Sequence, residues 1–131
     1  MLKIPIDQAY VNFGYTRYYS RLKQDELFIK TLNQTINEFS AFEDEDFILT
    51  QLYFLRYNYK SKNSLENDTR TDAVLANKHA IASKNPLLIN YTYSNLGYYY
   101  KQKFHETEDY KYIDSAVTVA QKTLHYAELI E

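Results

Sequence analysis

The stretch Tyr91-Thr92-Tyr93-Ser94-Asn95-Leu96-Gly97-Tyr98-Tyr99-Tyr100-Lys101-Gln102 decides the fold of this chain. Tyr93, Leu96 and Tyr100 recur at intervals of three and four, which places them on one face of an α-helix. The interval contains no proline, and its single glycine sits between helix-compatible neighbours. It reads as part of a helix running from Leu87 to about Gln102. Asn85-Pro86, just upstream, ends the helix before it, because the residue preceding a proline is driven out of the helical region.

Working outward, Thr69 to Lys84 is an Ala-rich helix. Its expected buried face is Ala73, Val74, Ala76, Ala80 and Ile81. Downstream, Phe104 to Asp109 is mainly polar and reads as a connection. Lys111 to Ile130 then carries Ile113, Ala116, Val117, Ala120, Leu124 and Ala127 as one apolar stripe.

In the first half, Ile6 to Leu22 places Tyr10, Phe13, Gly14 and Arg17 at helical spacings. After Lys23-Gln24-Asp25, the residues Leu27, Phe28, Leu32, Ile36 and Phe39 line a second helix. The acidic run Glu43-Asp44-Glu45-Asp46 closes a linker begun at Ser40, and its charge favours a helix N-terminus immediately after it. That third helix, Phe47 to about Lys60, is nearly all apolar or aromatic and is expected to pack on more than one side. Ser61 to Asp68 is a polar loop with candidate caps at Asn63, Ser64, Asn67 and Asp68.

The helices pair. Odd-numbered helices begin near residues 6, 47 and 87, a period of roughly 40 residues, which is the mark of stacked αα-hairpins. One such hairpin cannot bury its own apolar face, whereas about three stacked hairpins make a continuous core. The expected architecture is all-α, a right-handed αα-hairpin solenoid of about three units and six helices. It forms one domain over residues 1–131, with units near 6–42, 43–86 and 87–131. A generic helical bundle is the alternative. Composition agrees: 2 Gly and 2 Pro in 131 residues leave too little punctuation for a turn-dense β fold, and 15 Tyr with 7 Phe supply a core.

Tyr93, Leu96-Gly97 and Tyr100 also reproduce the W/Y-x2-L-G-x2-Y pattern of a first helix in the tetratricopeptide-repeat family, which the third unit resembles. Tyr10, Phe13-Gly14 and Arg17 echo the pattern in the first unit. The middle unit departs from it, with bulky Leu52-Tyr53 where a small residue is expected. The segment from Lys103 through Asp109 to Tyr112-Ile113-Asp114-Ser115-Ala116-Val117 resembles members in which an acidic, Thr-containing loop precedes the second helix.

The resemblance implies a concave surface lined by first helices. It assigns that surface to Gln8, Val11, Tyr15, Tyr18 and Tyr19 in the first unit and to Tyr91, Ser94, Tyr98, Lys101 and Gln102 in the third. Tyrosine offers a large rigid contact with a hydrogen-bonding tip, so a Tyr-rich groove for a protein or peptide ligand is expected, with Tyr15, Tyr18, Tyr19, Tyr91, Tyr98, Lys101 and Gln102 as its candidate residues. The competing reading makes these rings half-buried seam residues. Members that clamp a terminal carboxylate use Lys and Asn where this chain has Val11 and Tyr15, so that mode is not expected.

Function classes narrow accordingly. A formal charge of −2 gives no basic field for a phosphate backbone, so nucleic acid is not an expected partner. No run approaches the roughly 20 apolar residues that span a bilayer. Cys is absent, ruling out disulfides and thiolate metal sites, and a cytoplasmic location is expected. His79, His105 and His125 have no metal-ligand spacing, and Gly14 and Gly97 form no phosphate loop, so neither metal nor cofactor is expected. The carboxylate runs lack an apolar pocket that would tune them for acid–base work. The expectation is a non-catalytic adaptor or scaffold. The alternative is a peptide-sensing or oligomerisation domain of a larger bacterial transcriptional regulator or signalling protein. The last helix ends without a polar capping helix, so the expectation is either that the sequence is part of a longer chain that covers this face or that the face is a homo-oligomer contact.

Overall fold

The computed structural model describes residues 4–63 and 69–130. Among them are six α-helices and no strand: α1 (Ile6–Arg21), α2 (Asp25–Ser40), α3 (Asp46–Lys62), α4 (Thr69–Ser83), α5 (Pro86–Thr107) and α6 (Tyr110–Ile130). Among the described residues no helix is long and apolar enough to cross a membrane.

Local chemistry explains most of the boundaries. Pro5, extended at ψ 145°, leads into α1, where its missing N–H costs nothing. Asp25 and Glu26 open α2 and Asp46 opens α3, while Lys60 and Lys62 sit in the last turn of α3, all with the sign the helix dipole favours. Asn85 Oδ1 accepts from the backbone N–H of Leu87 (3.0 Å) and Leu88 (3.3 Å), with Pro86 in the first turn. The pair that ends α4 therefore also starts α5. Asp109 Oδ1 likewise accepts from the N–H of Lys111 at 3.0 Å at the start of α6. Asn63 Nδ2 donates to the Tyr59 carbonyl at the end of α3; the candidate caps Ser64, Asn67 and Asp68 lie outside the described residues.

Among the described residues four that are not glycine take positive φ: Lys23 (56°), Asp44 (61°), Lys84 (59°) and Glu108 (58°). After α1 the pattern is a complete Schellman motif, with Lys23 N–H bonded to the Ser20 carbonyl and Gln24 N–H to the Tyr19 carbonyl. Each left-handed side chain costs about 1 kcal/mol relative to glycine.

The most extensive helix contacts lie within the pairs α1/α2, α3/α4 and α5/α6, and the α2/α3 joint is slighter. Each pair is antiparallel, because partner numbers rise on one helix as they fall on the other. Tyr10 meets Phe39, Asn12 meets Glu38 and Thr16 meets Thr35 in the first pair. Tyr53 meets His79 and Lys60 meets Asp72 in the second. Tyr93 meets Tyr126, Gly97 faces Val119 and Tyr100 meets Tyr112 in the third. One core cluster joins α1 to α4 around Phe28, Leu32, Phe39 and Leu52, and a second joins α3 to α6 through Tyr57, Ala73, Leu96 and Val119. Helix α3 contributes to both, as its apolar character on several sides requires.

Three expectations are corrected. The Phe104–Asp109 connection is helical as far as Thr107, leaving only Glu108 and Asp109 between α5 and α6. Its polar side chains close within the helix: Thr107 Oγ1 donates to the Lys103 carbonyl and Lys103 pairs with Glu106 at 3.2 Å. The buried face of α4 is Ala73, Ala76 and Ala80 together with Asp72 and Asn77, whereas Val74 and Ile81 are exposed. The polar pair has partners inside, Asn77 donating to Thr92 Oγ1 at 3.0 Å, and that fixes the rotation of the helix. On α6 the side facing α5 carries Tyr112, Ala116, Val119, Thr123 and Tyr126, while Val117 and Leu124 of the expected stripe face solvent.

The glycines also separate. A methyl on Gly97 would meet Val119 Cγ1 at 3.5 Å, an ordinary contact in a close seam, whereas a methyl on Gly14 would meet nothing within 4 Å. Replacing Gly14 by alanine removes the helix penalty of glycine without a clash. Gly14→Ala is therefore expected to stabilise the fold by about 0.8–1 kcal/mol, read as an unchanged denaturant slope with a later urea midpoint.

Candidate functional site: a tyrosine-lined cleft between α3 and α5

On α3, Phe54, Tyr57 and Ser61 are spaced three and four apart and so share one face; on α5, Tyr91 and Tyr98 do the same at a spacing of seven. The two faces meet. Phe54 and Tyr91 make an edge contact with ring centroids 5.0 Å apart. Two turns further along α5 the seam opens into a cleft of about 290 Å³, walled by Tyr57, Lys60 and Ser61 of α3, Thr69 of α4, and Tyr98, Tyr99, Gln102, Lys103 and Glu106 of α5.

The tyrosines of this cleft differ in burial. Tyr57 is 6% exposed and forms its floor, while Tyr98 is 60% exposed and stands at its rim. Burial pushes the Tyr57 hydroxyl above the ordinary tyrosine value, opposed in part by a hydrogen bond with Ser61. Tyr99 is raised for the same first reason, with Lys103 and Arg70 pulling the other way. The Lys103 ammonium lies 5.8 Å from the Tyr99 ring centroid and 3.2 Å from Glu106. The Tyr57 and Tyr99 phenols thus stay protonated at neutral pH and offer hydrogen-bond donors beside apolar ring faces.

The expected site residues divide. Tyr98 and Gln102 line the cleft, and Tyr91 extends its aromatic wall. Lys101 is exposed beside the cleft without lining it. Tyr15, Tyr18 and Tyr19 lie on α1, where Tyr15 and Tyr19 stack at 6.0 Å and Tyr19 packs against the first core cluster. Exposed Tyr15 and Tyr18 continue, with Val11 and Leu22, a separate apolar stripe on the side of α1 away from α2. Among the described residues helix α1 makes no extensive contact with α5, and the α3/α4 hairpin lies between the two in the chain.

Tyr57, Lys60 and Ser61 were absent from the expected site. Their signal is a polar sequel, Lys60-Ser61, on the very face of α3 that carries Phe54 and Tyr57. Lys103 and Glu106 were missed because that part of the chain lies beyond the expected end of the helix, and Tyr99 because the resemblance assigned the surface to its neighbours Tyr98, Lys101 and Gln102.

No family model, curated protein or solved structure matches this chain.

Raised tyrosine pKa values have a stability consequence. Between the unfolded value near 10 and the higher folded values, the native state holds more protons than the unfolded one, so stability falls as pH rises through that interval. Urea midpoints should therefore hold steady up to about pH 9 and decline above about pH 10. Tyr57→Phe removes one of these groups and should make the alkaline decline shallower.

Proposed function

We propose that this chain is a non-catalytic protein- or peptide-binding module built of tetratricopeptide-like hairpins, with the α3/α5 cleft as its recognition site. The observation that carries the reading is the pairing of a buried aromatic floor, Tyr57, with an exposed aromatic rim, Tyr98, flanked by Gln102 and two lysines. At about 290 Å³ the cleft takes one or two side chains of an extended or helical segment rather than a large cofactor. Tyrosine anchors with few rotatable bonds contribute strongly to such contacts.

A second reading is favoured by α6. Val117 is 52% and Leu124 63% exposed on a helix whose extensive packing is with α5 alone. This is the kind of face through which an oligomerisation or sensing domain of a larger regulator would associate, and Leu124→Glu would then convert a dimer to a monomer in light scattering.

The test of the first reading is a peptide-array screen followed by titration. Tyr98→Ala with Gln102→Ala should weaken a captured peptide by about 10- to 100-fold, at unchanged helicity, while Tyr15→Ala with Tyr18→Ala leaves it unchanged. The reverse pattern would move the site to α1.

A further inference from the structure

A second cleft, of about 450 Å³, lies where α2, α3 and α4 meet, lined by Ile29, Asn33, Arg56, Tyr59, Lys60, Thr71 and Asp72. Its chemistry differs from that of the tyrosine cleft. The Asp72 side chain is 1% exposed, yet two cations converge on it. Arg56 reaches Oδ1 through Nε at 3.0 Å and Nη2 at 2.9 Å, and the Lys60 ammonium lies 3.2 Å from Oδ2. One buried carboxylate needs one countercharge, and here it has two.

The distribution of exposure decides which charge a solute meets. Arg56 and Lys60 are each 21% exposed and the carboxylate hardly at all. Among the described residues lining the cleft, Asp72 is the only carboxylate. The surplus is therefore positive and is presented at the wall.

Arg56 is also fixed in place. Its Nη1 donates to Asn33 Oδ1 at 2.9 Å, and its guanidinium carbon lies 5.5 Å from the Tyr53 ring centroid. A guanidinium has five N–H donors; hydrogen bonds engage Nε and one donor of Nη1, and Nη2 lies in ion-pair contact with Asp72, so each terminal nitrogen keeps at least one further donor. An arginine already immobilised by a buried carboxylate and an amide loses little rotamer freedom on binding, so its remaining donors form a preorganised fork. The lysine beside it supplies a second, mobile point charge.

We propose that this cleft binds an oxyanion, a carboxylate or a phosphate group, held by Arg56 and Lys60, with Asn33 and Thr71 at its edge. The site is independent of the peptide reading, though Lys60 borders both clefts.

The test uses the full chain, ¹⁵N-labelled, titrated separately with inorganic phosphate and with acetate, each against sodium chloride of matched ionic strength to remove general screening. Saturable shifts of the Asn33 and Thr71 amides in the millimolar range are expected; movement with phosphate alone, with acetate alone, or with both identifies the oxyanion accepted. Lys60→Gln leaves Asp72 its arginine partner and should retain the fold while weakening the interaction at least about tenfold. The proposal is overturned if neither anion moves these amides beyond the chloride control, or if folded Lys60→Gln responds as the parent does. The parent titration decides by itself should the variant fail to fold.

Discussion

A carboxylate out of water must be matched by cations at short range, and Asp72 imposes that condition at the middle of the chain. Its partners are both on α3, so the angular position of α4 is set by the need to point Asp72 at Arg56 and Lys60. Once that is fixed, Ala73, Ala76 and Ala80 face inward, Asn77 reaches Thr92 on α5, and Val74 and Ile81 are left in solvent. Arg56 carries the constraint back to α2 through Asn33. One ion cluster thus ties together three helices, spanning the α2/α3 joint, where the helices meet less extensively than within the hairpins.

Helical periodicity with Pro5, Asn85-Pro86 and the acidic run before α3 was enough to read six helices and nearly all their limits, since those signals act through neighbours in the chain. The buried face of α4 was not legible on hydrophobicity alone, because the residues that decide it are polar. The clue was present: Asp72 falls in the stripe of Ala76 and Ala80, and Arg56 and Lys60 stand one turn apart in the aromatic-rich α3. The last turn of α5 was misread because polarity was taken as a break, although polar side chains continue a helix readily, and Lys103, Glu106 and Thr107 supply partners to one another.

The candidate site was half legible. Tyr98 and Gln102 came from the repeat resemblance of a single helix, but the walls of a cleft come from two or three helices, and no single-helix pattern reports which faces meet. Tyr57 reads as core, and it is core; it is also the floor of the cleft. The 15 tyrosines accordingly do two jobs. Tyr93, Tyr100, Tyr112 and Tyr126 form the α5/α6 seam through stacked rings. Tyr91 and Tyr98 stand clear enough of it to touch something else.

The corners with left-handed side chains bear on how this protein can change over generations. Lys23, Asp44, Lys84 and Glu108 hold positions where glycine is the easier residue, while both glycines of the chain lie inside helices, where alanine is easier. The sequence therefore carries an unspent reserve of stability at residues that line neither cleft. A lineage altering Tyr98, Gln102 or Lys60 to accept a new ligand has compensating substitutions within reach at its corners, so the recognition surface is free to diverge while the helical frame endures.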